Sequence, residues 1–186
     1  MRIILATLWL LIPLGFAAYH YGPGQEQVKL DHTEAFLAEA RSAVQEKNWT
    51  SAIESYQKAL AKLPKENKET SMRIQLEIAK AKMQNSGLPE AREDLAKLVS
   101  QLKEDTTISS ELKEEALSTL ANARYYMTYL MKLEGLPAEE WEPEIEAARQ
   151  EYKLLAQTGS DKEKHLSDLE SAIHLARAEP TELYGL

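Results

Sequence analysis

The sequence predicts an all-α protein, and three observations carry the prediction. Ala, Leu, Glu and Lys outweigh the β-branched residues, and Gly and Pro number only 7 each in 186 residues. From about residue 33 almost to the end, apolar residues recur at three- and four-residue spacing, the period of helices that bury one face. No stretch alternates at period two, so no sheet is expected.

The helices are punctuated legibly. A first helix, about 33–46, ends at "EKNW". A second, about 50–62, opens on a capping-box pattern of Ser51 with Glu54 and stops at Pro64. A third, about 69–85, closes at "NSGLP", where Gly87 is expected to take a left-handed C-cap and Pro89 to start the next helix, about 89–103. "EDTTIS" leads into a long fifth helix, about 109–134, ended by "EGLP". A sixth covers about 139–157. A seventh, about 161–178, opens on Ser160 with Glu163 and is followed by Pro180. Residues 179–186 read as a loose tail.

The N-terminus has a different character. Ile3 to Ala18 is an unbroken apolar or small run behind Arg2, shorter than a comfortable bilayer span of roughly 20 residues and about the length of a signal-peptide core. Gly15 and Ala17 suit a cleavage site, whereas Tyr19 and Tyr21 suit an interfacial belt that extends the span. Residues 1–20 are therefore an uncleaved membrane anchor or a signal peptide, with a buried N-terminal helix of a soluble chain as the third option. Either leading option places the helical domain on the extracytoplasmic or periplasmic side, or secretes it there. If the segment is retained, residues 3–21 meet the membrane, and Ala6, Trp9 and Gly15 are candidates for contact with partner spans. The polar stretch 21–32 reads as a linker.

Charge and composition exclude several classes. With 30 acidic against 22 basic residues the net charge is −8, which repels phosphate backbones and argues against nucleic-acid binding. The absence of cysteine removes disulfides, thiolate metal sites, Cys nucleophiles and lipoprotein acylation. His20, His32, His165 and His174 have no metal-ligand spacing, and no phosphate loop, GxSxG or HExxH is found. No metal, cofactor or small-molecule substrate is expected. "NWT" at 48–50 fits a glycosylation acceptor. "PAEEWEPEIE", 137–146, gathers five glutamates, and Glu139 and Glu140 beside Trp141 form the alternative reading, an acid–base or cation site. An acidic first turn complementing the helix dipole explains the same residues.

"TEAFLAEARSAVQEKNWTSAIESYQKALAKLPKE", Thr33 to Glu66, carries small residues, aromatics and a proline at fixed intervals. Ala40, Ala52 and Ala59 let two helices approach closely, while Phe36, Trp49 and Tyr56 fill the space around the contact. In these positions, and in Pro64, the stretch resembles a tetratricopeptide repeat, a helix–turn–helix unit of about 34 residues. A second, degraded copy has Ala79 and Ala91 at the small positions and Leu95 and Leu98 after them. A third, with a longer first helix and turn, has Ala121, Ala148, Tyr152 and Leu155. The resemblance implies a right-handed superhelix of antiparallel helix pairs over 33–178, about three repeats with the seventh helix as cap. An irregular helical bundle is the alternative.

The resemblance further implies a non-enzymatic scaffold or adaptor for protein partners, serving as an assembly factor or accessory subunit of a membrane or envelope complex. Such repeats present their first helices on a concave face. Carried over, the groove residues are Leu37, Arg41, Val44 and Gln45, with Glu34 beside them, in the first repeat. In the second they are Arg73, Leu76, Lys80, Met83 and Gln84, and in the third Asn122, Tyr125 and Tyr126, with Ser118 beside them. Arg41, Arg73 and Lys80 suit an extended or acidic peptide. The tail from Pro180 is a candidate to fill the groove itself.

Overall fold

A computed structural model describes residues 23–184, together with the isolated positions 9, 12 and 13. The anchor or signal reading of residues 1–20 therefore lies almost wholly outside the described residues. Among those described, no helix is long and apolar enough to cross a membrane. The chain is all-α there, with no strand, and divides into two compact units, residues 1–71 and 72–186.

In the first unit α1 (Pro23–Gln45) packs against α2 (Trp49–Lys62). Ala40, Ala52 and Ala59 are fully buried at the contact and Tyr56 nearly so, the close approach that small residues permit. α1 begins at Pro23, so most of the expected linker is helical. Its Gln, Glu, Leu and Lys are good helix formers, and Pro suits a first turn. Polarity there marks solvent exposure: Val28, Asp31 and His32 are exposed.

The second unit holds α3 (Lys68–Gln84), whose first residues precede the division, α4 (Leu88–Glu104), α5 (Ser110–Leu133), α6 (Ala138–Thr158), α7 (Lys162–Arg177) and the single turn α8 (Pro180–Leu183). Consecutive helices from α4 to α7 pack side by side. Of the side chains that carry the resemblance in this unit, Ala79, Leu95, Leu98, Ala121, Ala148, Tyr152 and Leu155 are buried in its core cluster, and Ala91 is fully buried as well. α7 covers α6 and buries Ala172 and Leu175. The tail is not loose: Leu183 packs against the core and the Tyr184 hydroxyl donates to the Leu133 carbonyl.

Three hairpin turns share one geometry. After α1, the Asn48 N–H donates to the Ala43 carbonyl at 2.8 Å with Lys47 at φ 56°. After α3, Gly87 donates to Lys82 at 2.9 Å with Ser86 at φ 59°. After α5, Leu136 donates to Met131 at 3.0 Å with Gly135 at φ 73°. Each is a Schellman closure with its left-handed residue just past the helix. Among the described residues these are the only three with positive φ, so the connections after α2, α4 and α6 lack this turn. The left-handed residue at the second turn is Ser86, not Gly87, which caps α4 instead.

The expected capping boxes at Ser51 and Ser160 are replaced by caps three residues earlier and one residue later. Asn48 accepts from Ser51 N at 3.2 Å and Asp161 accepts from Lys164 N at 3.1 Å. Asn and Asp rank at the top of N-cap preference and stand directly before each helix.

Half-buried charge ties α4, α5 and α6 together. Glu144 sits between Arg92 at 3.4 Å and Arg124 at 2.9 Å, and Arg124 also lies 3.2 Å from Glu151. One Glu151 oxygen is buried without a hydrogen bond. Burial pushes its carboxyl up to about 7, against the pull of Arg124.

Candidate functional site

Helix α5 carries the wall of two separate concavities in the second unit. On one, Glu111, Glu115, Ser118 and Asn122 fall at four- and three-residue steps and so share a stripe. With Lys80 from α3 and Ser160, Asp161, Lys164 and His165 at the start of α7, that stripe lines a polar cleft of about 570 Å³. On the other, Tyr126, Met127, Leu130 and Met131 meet Met83, Leu88 and Pro89 around an apolar hollow of about 760 Å³.

The cleft is held by charge pairing. Lys80 Nζ donates to Glu77 Oε1 at 2.7 Å and to Glu115 Oε1 at 2.6 Å. Burial by itself would lower this ammonium, but the two carboxylates outweigh it and hold it above its ordinary value. Arg73 lies 3.9 Å from Glu111. At the far end Glu114 Oε1 accepts from both the backbone N–H and the hydroxyl of Ser160, each at 2.8 Å. Those bonds lower the Glu114 carboxyl, with His165 adding a smaller effect. Gly159 lets the connection pass this closely, since an added Cβ would stand 2.6 Å from the Leu155 carbonyl oxygen and 3.0 Å from Glu114.

His165 is only 2% exposed and lines the cleft. Its Nε2 is 3.6 Å from Glu114 and its Nδ1 3.6 Å from Asp168. Nδ1 makes no hydrogen bond. The sequence shows no metal-ligand spacing at this histidine and does not reveal its burial. Its only local sign was Asp168 one turn on, because Glu114 approaches from another helix.

The twelve expected groove residues are divided by the fold. Leu37, Arg41, Val44 and Gln45 lie on α1 in the first unit, with Arg41 and Gln45 exposed. In the second unit Lys80 and Asn122 line the polar cleft, and Met83, Gln84 and Tyr126 line the apolar hollow. Leu76, 1% exposed, belongs to the core and presents nothing to a partner. Tyr125 packs against the core and meets Tyr126 edge to face at 5.5 Å. Tyr126 itself is 53% exposed.

The alternative acidic site lies apart from both concavities. Glu139 and Glu140 are exposed in the first turn of α6 and line neither concavity. Trp141 is engaged instead by Lys132, whose Nζ stands 4.2 Å from the ring centroid. The same ammonium donates to the carbonyls of Leu175 at 2.8 Å and Ala176 at 3.3 Å, closing the end of α7. Among the described residues no group of three His, Asp or Glu is arranged to hold a metal ion.

No family model, no curated protein and no solved structure matches the chain.

Proposed function

We propose that this chain is a tetratricopeptide-like scaffold, three helix pairs with α7 as cap, that binds protein partners outside the cytoplasm. In this reading residues 3–21 anchor it in the membrane, or are cleaved and release it to the same compartment. Its work is assembly, or service as an accessory subunit of a membrane or envelope complex. It uses no cofactor, no nucleic acid and no small-molecule substrate.

The repeat reading is supported by the burial of the expected small residues Ala40, Ala52, Ala59, Ala79, Ala91, Ala121 and Ala148 and by the same left-handed turn after α1, α3 and α5. The observation that carries the binding reading is the apolar hollow beside α5. Tyr126 and Leu130, 53% and 45% exposed, stand at its edge above methionines, which adapt to varied apolar surfaces. Tethering raises the effective concentration of a partner in the same membrane and offsets a small contact area.

The test is photocrosslinking in the native membrane, with a photoreactive residue in place of Leu130 of the full chain. A discrete protein adduct is expected that disappears when Tyr126→Arg is added. An adduct pattern identical to that from a probe at exposed Lys97 would count against the hollow, and no adduct at all would count against the scaffold.

A further inference from the structure

One arginine serves two carboxylates where α4, α5 and α6 meet. Arg124 on α5 donates from Nη1 to Glu144 Oε2 at 2.9 Å, and its Nε lies 3.2 Å from Glu151 Oε1. The second contact has the distance of an ion pair without the alignment of a hydrogen bond. Arg124 Nε and Glu151 Oε2 are both buried with no hydrogen-bond partner. Buried polar atoms ordinarily find one, so a donor and an acceptor left open within one ion pair mark a bond that can be made or withheld.

The proton on Glu151 decides between the two. Burial is the main force holding this half-buried carboxyl near about 7. Arg124 on α5 and Lys103 on α4 favour its ionised form, and Glu144 on its own helix opposes it. A protonated carboxyl exerts no ionic pull and leaves Arg124 to Glu144. An ionised one accepts the Nε–H in a charge-assisted bond and competes for the same guanidinium.

Glu144 is in turn the bridge between α4 and α5, with Arg92 at 3.4 Å on one side and Arg124 on the other. Arg92 stands one turn beyond Leu88, and Arg124 two residues before Tyr126. Leu88 and Tyr126 both line the apolar hollow, so the bridge fastens together the two helices that wall it.

We propose that Glu151 is a proton switch acting on the apolar hollow through the Arg92–Glu144–Arg124 bridge. Protonated, it leaves the bridge intact and α4 fixed against α5. Ionised, it draws Arg124 away from Glu144 and slackens the bridge, so partner capture weakens as pH rises through neutrality. This regulation rests on the scaffold reading and deepens it by naming what controls the docking surface.

The test follows the Arg124 Nε–H resonance of the isotope-labelled full chain in neutral detergent, identified by its loss in Arg124→Lys. The resonance is expected to move with a midpoint of about 7 and to stay fixed in Glu151→Gln, which keeps the shape of the protonated form. In native membranes the yield of the Leu130 adduct should fall severalfold between about pH 6 and about pH 8 and hold its acidic level in Glu151→Gln. Glu144→Gln should lower that yield at both values. Glu151→Gln carries the test even where Glu144→Gln perturbs the fold, because it replaces a carboxyl that is already uncharged in acid.

A resonance that does not move, or that moves alike in Glu151→Gln, overturns the proposal. A fall in adduct yield that persists in Glu151→Gln also overturns it, by assigning the pH dependence to the partner. A yield indifferent to pH while the resonance titrates rejects the regulation and leaves the scaffold standing. No adduct at any pH rejects the scaffold and the regulation together.

Discussion

Tyr152 on α6 donates its hydroxyl to Asn122 Oδ1 on α5 at 2.7 Å. The two residues come from different sequence readings, Tyr152 from repeat packing and Asn122 from partner contact. Their bond joins the core to the polar cleft. Asn122 spends its acceptor inward, which leaves its amide N–H group for the cleft side. Burial also pushes the Tyr152 phenol up, so it stays a donor at any physiological pH. Tyr152→Phe should lower the unfolding free energy by about 1 kcal/mol. Urea denaturation reads the loss, and an unchanged midpoint would refute the bond's contribution.

Glu151 makes the stability of the second unit depend on pH. Its folded carboxyl titrates at about 7, above the ordinary 4.5 that the unfolded chain has. A group raised in the folded state contributes stability below its unfolded value and loses it as pH rises through the folded one. Stability should therefore fall between about pH 5 and pH 8, on the order of 1–2 kcal/mol from this residue. Glu151→Gln should flatten that slope in denaturant titrations across the range. A wild-type slope retained in the variant would assign the pH dependence to other groups.

The left-handed turns predict opposite effects for opposite substitutions. Gly135, at φ 73°, has nothing within 4 Å of an added Cβ, so Gly135→Ala isolates backbone strain and should cost about 1 kcal/mol. Ser86, at φ 59°, already carries that strain, and Ser86→Gly should stabilise by about 0.5 kcal/mol. Thermal unfolding of the pair checks both signs. Equal destabilisation by both changes would contradict the turn assignment.

Lys132 supplies three interactions from one buried ammonium. Burial lowers it below its ordinary value, although Glu179 and Glu182 oppose the change. Lys132→Met keeps the stem and removes the donors to Leu175 and Ala176, at a cost of about 1–3 kcal/mol. Amide exchange should accelerate in the last turn of α7. Exchange unchanged there would show that solvent satisfies those carbonyls equally well.

The helices are legible in the sequence because their ends carry local chemistry: Pro64, Pro89 and the glycine of "EGLP". The close contact of α1 with α2 is legible for the same reason, since Ala40, Ala52 and Ala59 leave a periodic trace. Charge pairing is not local. Lys80 reads as a free cation until Glu115, 35 residues on, is placed against it. His165 and Glu114 likewise meet through the α5–α7 approach, which no spacing within either helix reveals. The helical start at Pro23 was obscured by polarity, which marks exposure as readily as it marks a loop.

The alternation of turn types also decides where the chain tolerates added length. At Lys47, Ser86 and Gly135 a backbone hydrogen bond spans each left-handed residue and leaves no slack. The connection from Pro64 to Asn67 is closed only by its own short turn, with Lys65 and Glu66 exposed. An epitope inserted between those two residues disturbs one local bond and neither concavity, so this is the place to attach a handle.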